Sequence, residues 1–287
     1  MARIEIAGLS IAYALIGHGA QRVVITPGGR FSKDAEGIRE LAAALAAGGC
    51  TVLVWDRPNC GESSIDFSGP SESRRNADML AALVRAIDFG PALLVGGSGG
   101  ARETLLAAIH HRDIAEKAFV LWLSGGGIGI ATLPVFYCAD GALAAENGGM
   151  AAVAELPGWQ ETLERWPDNR ARMLAMAPAE FITAMRRWGD AFLPAAGQPI
   201  PCVNAGDLAG ITVPVMVLRS GESDHHHPRA TSEAAAAAIP GAILAEPPWD
   251  DREWLRRLAD NMQGRARGPF AGWPALAPQI LAFSRLT

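Results

Sequence analysis

The stretch from 93 to 107 reads LLVGGSGGARETLLA, and it decides the fold. An apolar strand pattern ends at Gly97 and a helical pattern begins at Gly99, so a sharp turn must lie between them. The turn matches G-x-S-x-G in the strand–turn–helix context that this motif requires. We therefore predict that Ser98 is exposed at the carboxyl edge of a sheet as a nucleophile. A glycine-rich turn with a capping serine is the alternative.

Short apolar runs alternate with amphipathic helical stretches along most of the chain. The runs cover 22–26, 50–56, 92–97, 118–124, 213–219 and 242–246. Since they lack polar alternation and are separated by helices, they predict a parallel sheet covered on both faces. Right-handed crossovers then give a doubly wound, mostly parallel α/β fold.

This alternation stops between 125 and 205, where short helical patterns occur without a strong strand pattern. We predict a helical cap there, inserted into an α/β core domain formed by 1–124 and 206–287. Aromatic cap residues, Trp159 and Trp188 among them, are candidates to roof an apolar cavity and bind a substrate. Packing of the cap onto the core is the alternative role for these side chains.

Three motifs in this strand order resemble the α/β-hydrolase superfamily over nearly the whole chain. They are the serine turn, TPGGR at 26–30, and DRPNCGES at 56–63, which stands at the fold's D-x-R-G-x-G-x-S turn. The resemblance implies that the N–H groups of Gly29 and Gly99 form an oxyanion hole. It also implies that Asp224 occupies the family's acid position. The reaction stays open, because this fold also hosts lyases, dehalogenases and proteins that are not enzymes.

The histidine that this family places after its last strand is missing. Residues 247–254 read PPWDDREW, and no histidine follows His227. A serine hydroxyl without a general base is a poor nucleophile at neutral pH. The main question that the sequence leaves open is therefore which residue acts as general base, and whether the protein has hydrolase activity at all.

A substitute base is available in the loop that starts at Asp224, which continues His225-His226-His227-Pro228. We favour His227, which Pro228 pins, as the base for Ser98, since geometry rather than chain order makes a catalytic triad. Its acid is then Asp250 or Asp251 in the last-strand loop. Three exposed imidazoles are the alternative.

A metal site built from the same imidazoles and carboxylates is disfavoured. Adjacent histidines rarely converge on one ion, and the sequence has no H-E-x-x-H helix. We expect no metal and no other cofactor.

Arginines cluster near the predicted site. Arg30 and Phe31 follow the loop of Gly29 and are expected to line the substrate pocket, with Arg57 and Arg102 at the same edge. Such a cluster suits bidentate binding of a carboxylate. The alternative is that these arginines have no special role, because arginine supplies nearly all the positive charge of this chain.

Composition and charge limit the classes of binding partner that this chain is expected to have. The net charge is −5 with no long basic run, which argues against nucleic acid. The first twenty residues contain Glu5 and three glycines, so they are expected to form neither a signal nor a membrane span. Four cysteines without a CxxC pair favour a reducing cytoplasm. We expect a small-molecule substrate and no membrane partner, and a homodimer stays open.

These observations favour a serine hydrolase-like enzyme that acts through Ser98 on an ester, thioester or activated carbonyl of a small molecule. The alternative is a protein of the same fold without serine-hydrolase activity. It would bind a small molecule or catalyse proton transfer or elimination, because the usual histidine is absent.

Overall fold

An eight-stranded sheet forms the centre of the protein. The computed structural model describes residues 2–193, 198–265 and 267–286. In sequence order the strands are β1 Ala2–Ile6, β2 Leu9–Ile16, β3 Gln21–Thr26, β4 Cys50–Trp55, β5 Ala92–Gly97, β6 Ala115–Leu121, β7 Val215–Leu218 and β8 Ile243–Ala245. They lie side by side in the order β1-β2-β4-β3-β5-β6-β7-β8.

The direction of the strands agrees with the sequence. β2 pairs antiparallel with β1 and β4, and the other strand pairings in the described ranges are parallel. The predicted doubly wound, mostly parallel α/β fold is therefore confirmed. The carboxyl ends of the parallel strands meet at one edge, where loops can bring distant residues together.

Helices cover both faces of the sheet. On one face pack α2 Glu72–Ala86, α3 Gly99–His110 and α10 Arg229–Ala238, and on the other α1 Ile38–Ala47 and α12 Ala277–Ser284. Successive side chains of β3 enter opposite cores, since Val24 belongs to the first and Val23 and Ile25 to the second. Burial on both faces explains why the strands read as continuous apolar runs.

Five helices follow β6 as one helical insertion (126–190). They are α4 Gly126–Pro134, α5 Asp140–Ala154, α6 Pro157–Arg165, α7 Pro167–Ala175 and α8 Pro178–Asp190. The last three begin at prolines, which the first helical position accepts because its N–H has no intrahelical acceptor. α9 Ala205–Ala209 follows, and α11 Glu253–Met262 lies beyond β8.

The helical insertion has an apolar core of its own and rests on loops of the sheet. Trp159, Phe181 and Trp188 are among its buried residues. Asn169 accepts from the N–H of Ile65 at 2.8 Å and donates to the carbonyl of Ser63 at 2.8 Å. The insertion is thus attached to the segment that follows β4.

One described stretch, Gly126–Arg165, is long and apolar enough to cross a membrane by length and composition alone. It is not one straight helix. A π-helical turn at Val135–Ala139 joins α4 to α5, and Gly149 has φ 65° and ψ −165° inside α5. The stretch is therefore weak evidence for a membrane span.

Lys33 organises the start of the DRPNCGES segment. Its buried ammonium donates to Asp56 Oδ2 at 2.9 Å, to Glu62 Oε2 at 2.7 Å and to Asp34 Oδ2 at 3.0 Å. Asp56 is fully buried. Burial raises the pKa of Asp56, although Lys33 and backbone N–H groups stabilise its charged form.

Replacing Lys33 by methionine leaves the Asp56 carboxylate buried without its cation. We expect Lys33→Met to lower the free energy of unfolding by about 3–5 kcal/mol, measured by urea denaturation. The matched control is Arg170→Met, which breaks the exposed Arg170–Glu155 pair and is expected to cost about 0–1 kcal/mol. Equal losses in the two variants would contradict this account.

Candidate active site

Ser98 stands on a strained turn between β5 and α3. Its φ of 55° and ψ of −118° are unusual for a residue with a side chain. A Cβ atom built on Gly96 would lie 2.2 Å from the carbonyl oxygen of Gly100, and one on Gly100 would lie 2.1 Å from the carbonyl oxygen of Thr26. Only glycine fits at these two positions, which explains why they flank the serine.

A chain of hydrogen bonds joins Ser98 to the loop after β7. His227 Nε2 lies 2.9 Å from Ser98 Oγ, and His227 Nδ1 lies 2.9 Å from Asp224 Oδ2. An ionised carboxylate only accepts hydrogen bonds, so Nδ1 carries the proton and Nε2 is free to accept from the serine hydroxyl. Ser98 thus has an imidazole in the position and tautomer of a general base.

Asp224 is an anion held by several donors. Its Oδ1 accepts from the N–H of His226 at 3.1 Å and from the N–H of His227 at 3.0 Å. Burial would raise the pKa of this carboxyl, but the hydrogen bonds and the charge interaction with His227 outweigh it and lower the pKa below its usual value. Asp224 therefore stays ionised beside the imidazole at neutral pH.

Local sequence explains how one loop presents both groups. An aspartate that accepts N–H groups two and three residues ahead forms a tight turn of its own. This turn folds the ring of His227 back onto Asp224, and Pro228 caps α10 directly afterwards. Trp122, directly after β6, stacks on His227 with ring centroids 6.2 Å apart.

The acids proposed in the last-strand loop were wrong. Asp250 accepts from Arg256 at 2.8 Å, and Asp251 pairs with Arg229. Both aspartates are exposed and neither contacts His227. Asp224 takes that place instead, and the D-x-x-H spacing of three residues was the signal that could have shown it.

The other two histidines of the loop lie away from Ser98. His225 is exposed, and the ring of His226 contacts the ring of Trp254 edge-on at 5.3 Å. Of the three imidazoles, the structure therefore brings His227 to the serine.

The loop after β3 closes the other side of Ser98. A Cβ atom on Gly28 would lie 3.3 Å from Ser98 Oγ, and the nitrogen of Gly29 lies 3.4 Å from the position of a Cβ atom on Gly99. In the described part of the chain, neither the Gly29 nor the Gly99 nitrogen donates to a backbone carbonyl. Arg57 anchors this loop by donating to the carbonyl of Gly28 at 3.2 Å.

Three of the residues predicted to contact a substrate are engaged by other parts of the protein. The Arg30 guanidinium is engaged by Glu72 at 3.1 and 3.2 Å and by the carbonyl of Tyr137 at 2.8 Å. Trp159 and Trp188 are buried in the core of the helical insertion. These tryptophans pack the insertion, so the alternative considered for them is the one observed.

Phe31 does line an open space. The residue is 40% exposed and borders a cavity of about 550 Å³ whose other lining residues belong to α11 and the segment after it. Arg257 of α11 reaches over the ring of Trp122 at 4.9 Å. No pattern in the sequence indicated that Trp122 stacks on His227 or that Arg257 of α11 lies over Trp122, because an isolated tryptophan has the same pattern in a core and beside a pocket.

No group of three or more metal-ligating side chains is assembled among the residues that the structure describes. The site instead consists of a serine, an imidazole, a carboxylate and two backbone amides. Such a set can transfer protons and stabilise an anion.

Known proteins share this arrangement of strands and loops. A family model described as the alpha/beta hydrolase family matches residues 23–250. The chain belongs to the alpha/beta hydrolase family. The resemblance carried by the three motifs is thereby confirmed, and the chain is a hydrolase-family enzyme. No curated protein is similar enough to this hydrolase to count as a match.

Several solved structures have the same fold. The enol-lactonase from Burkholderia xenovorans LB400 has 21% identity and a TM-score of 0.60, covering 92% of this chain and 97% of its own. MGS-M2, an alpha/beta hydrolase from a Medee basin deep-sea metagenome library, has 15% identity and a TM-score of 0.64, covering 100% and 99%. The esterase RhEst1 from Rhodococcus sp. ECU1013 has 20% identity and a TM-score of 0.58, covering 98% and 97%.

The hydrogen bond between His227 and Asp224 can be tested directly. We expect a low-field proton resonance from the Nδ1–H group of His227 in NMR spectra. Asp224→Asn should remove it, because the carboxylate acceptor is lost, whereas Asp251→Asn should retain it. Loss of the resonance in Asp251→Asn alone would reinstate the last-strand loop as the source of the acid.

Proposed function

We propose that this hydrolase cleaves an ester, thioester or activated carbonyl of a small molecule with Ser98 as nucleophile, His227 as general base and Asp224 as acid. The observation that carries the proposal is the unbroken chain from Ser98 Oγ through His227 to Asp224, with two contacts of 2.9 Å. The esterases and the lactonase of the same fold support ester bonds as the substrate class.

The proposed reaction begins when Ser98 Oγ attacks the carbonyl carbon and His227 Nε2 takes the hydroxyl proton. Asp224 holds the ring in its tautomer and stabilises the imidazolium. The N–H groups of Gly29 and Gly99 form the oxyanion hole for the developing alkoxide. His227 then gives the proton to the departing alcohol or thiol, which leaves an acyl group on Ser98.

Hydrolysis of the acyl enzyme uses the same groups in the opposite order. A water molecule loses its proton to His227 Nε2 as it attacks the acyl carbon. Ser98 recovers that proton when the carboxylic acid leaves, so the cycle is closed without a cofactor.

The alternative without serine-hydrolase chemistry was motivated by the missing histidine after the last strand. His227 lies in hydrogen-bond reach of Ser98 Oγ from the β7 loop, so that motive no longer favours the alternative. In this proposal the triad is atypical only in the loop that supplies its base.

We also propose that the helical insertion is a cap over the site. Support comes from Tyr137, whose hydroxyl lies 3.5 Å from the position of a Cβ atom on Gly99. The carbonyl of the same residue accepts from Arg30, which follows the oxyanion loop. The predicted cap range 125–205 includes 194–197, which lie outside the described residues.

A fluorophosphonate probe tests the nucleophile. We expect covalent labelling of the wild type, none of Ser98→Ala, and about 10²–10⁴-fold slower labelling of His227→Ala, because the general base is lost. His225→Ala is the matched control, since His225 is an exposed imidazole two residues away. It should label at the wild-type rate.

Mass spectrometry of the labelled protein gives the site of modification. A folded wild type that resists the probe, or equal losses in His225→Ala and His227→Ala, would overturn the proposed triad.

A further inference from the structure

Four arginines with largely buried side chains lie on the loops after β3 and β4 and on α2 and α3, and three of them have a carboxylate partner. The pairs are Arg30–Glu72 at 3.1 Å, Arg57–Glu103 at 3.3 Å and Arg75–Asp66 at 3.5 Å. The fourth, Arg102, is only 2% exposed and forms no ion pair with a described residue. Because guanidinium stays charged in proteins, Arg102 is the cation among these four that has no carboxylate beside it in the described residues.

The guanidinium of Arg102 is held in place by two hydroxyl groups. Its Nε donates to Ser73 Oγ at 3.2 Å and its Nη1 donates to Ser124 Oγ at 2.9 Å. The described residues offer Nη2 no acceptor within hydrogen-bond distance. Among these four arginines, the fully buried guanidinium nitrogens without a partner belong to Arg57 and Arg75 rather than to Arg102, so Nη2 of Arg102 is a free donor that a ligand can reach.

Nη2 borders the space next to Gly99, the residue after Ser98. A Cβ atom built on Gly99 would lie 3.6 Å from Nη2 of Arg102, 3.5 Å from the hydroxyl of Tyr137 and 3.4 Å from the nitrogen of Gly29. These are ordinary van der Waals distances, so Arg102, Tyr137 and the β3 loop surround the same side of Gly99. Nη2 and the Tyr137 hydroxyl are side-chain donors from two different elements, and the Gly29 N–H beside them is the group assigned to the oxyanion.

The Tyr137 hydroxyl is the second side-chain donor at this space. The residue is 7% exposed, and its hydroxyl has no acceptor in the part of the chain that is described. Burial raises the pKa of Tyr137. The phenol is therefore a neutral donor at physiological pH, and it complements the charge of Arg102.

We infer that Arg102 and Tyr137 bind a carboxylate that the substrate carries close to its scissile carbonyl, so that the enzyme selects anionic esters or lactones over neutral ones. The inference rests on the proposed function, because the space adjoins the N–H groups assigned to the oxyanion. A substrate with a short spacer between its carboxylate and its scissile carbonyl can place the carboxylate at Arg102 and the carbonyl at Ser98 at the same time. Arg30 and Arg57 are already paired, so Arg102 carries the recognition.

Two chromogenic esters of similar length test this inference. Mono-4-nitrophenyl succinate bears a carboxylate, whereas 4-nitrophenyl pentanoate is neutral, and both release 4-nitrophenol. We expect wild-type kcat/KM to favour the succinate about 10- to 100-fold, as a charge-assisted hydrogen bond implies. Arg102→Gln should reduce this preference at least about tenfold, mostly through KM of the succinate.

Three further variants separate recognition from structure. Arg186→Gln removes the same charge from an exposed site on α8 and should keep the wild-type preference. Arg102→Lys retains the charge but not the fork of donors, so part of the preference should return. Tyr137→Phe should lower the preference by a smaller factor, and it decides the case if Arg102→Gln does not fold.

The outcomes distinguish this inference from the proposed function. Turnover of both esters without preference in the wild type overturns the carboxylate site and leaves the hydrolase intact. Absence of turnover together with absence of fluorophosphonate labelling overturns the proposed function. In that case calorimetry with succinate decides whether the carboxylate site exists. Succinate binding that is at least about tenfold weaker to Arg102→Gln than to the wild type supports the site, and equal binding overturns it.

Discussion

The contact between the β3 loop and the first turn of α3 is the constraint on which the site depends. Both segments leave neighbouring parallel strands at the same edge, and their backbones touch where Gly100 meets Thr26. No side chain fits between them. This approach places the Gly28–Gly29 amides beside Ser98, and it explains the glycines on both sides of the serine.

Buried charged side chains hold the β3 loop in place against α3. Arg57 lies between the β3 loop and α3, donating to the carbonyls of Gly28 and Phe31 and pairing with Glu103. Its neighbour Asp56 accepts from the N–H of Lys33 at 2.6 Å. The DRPNCGES segment therefore positions the loop of the proposed oxyanion hole without contacting the reacting atoms.

Much of the fold could be predicted from the sequence, because buried parallel strands and a serine turn leave strong local patterns. The general base could also be narrowed to a few residues, since the three histidines beside Asp224 are the ones that the sequence places near the carboxyl edge of the sheet. For the pairing of His227 with Asp224 the one signal was the D-x-x-H spacing, and spacing alone does not give the direction of a side chain within a three-residue turn. Trp159 and Trp188 show the same limit, since a tryptophan in a packed helical core has the pattern of one that roofs a pocket.

The position of Asp224 and His227 on a single loop has a consequence for the edge of the sheet. β8 has three residues, and the loop after it supplies Trp249 to a packing contact with Trp122 rather than an imidazole to the serine. The proposed triad therefore takes no side chain from the segment after β8, although Ser223 and Arg229 on either side of Asp224 and His227 bond to Asp251 in that segment. Substitutions in that segment that keep the backbone of Asp251 in place can therefore change the surface beside Trp122 without removing a member of the proposed triad.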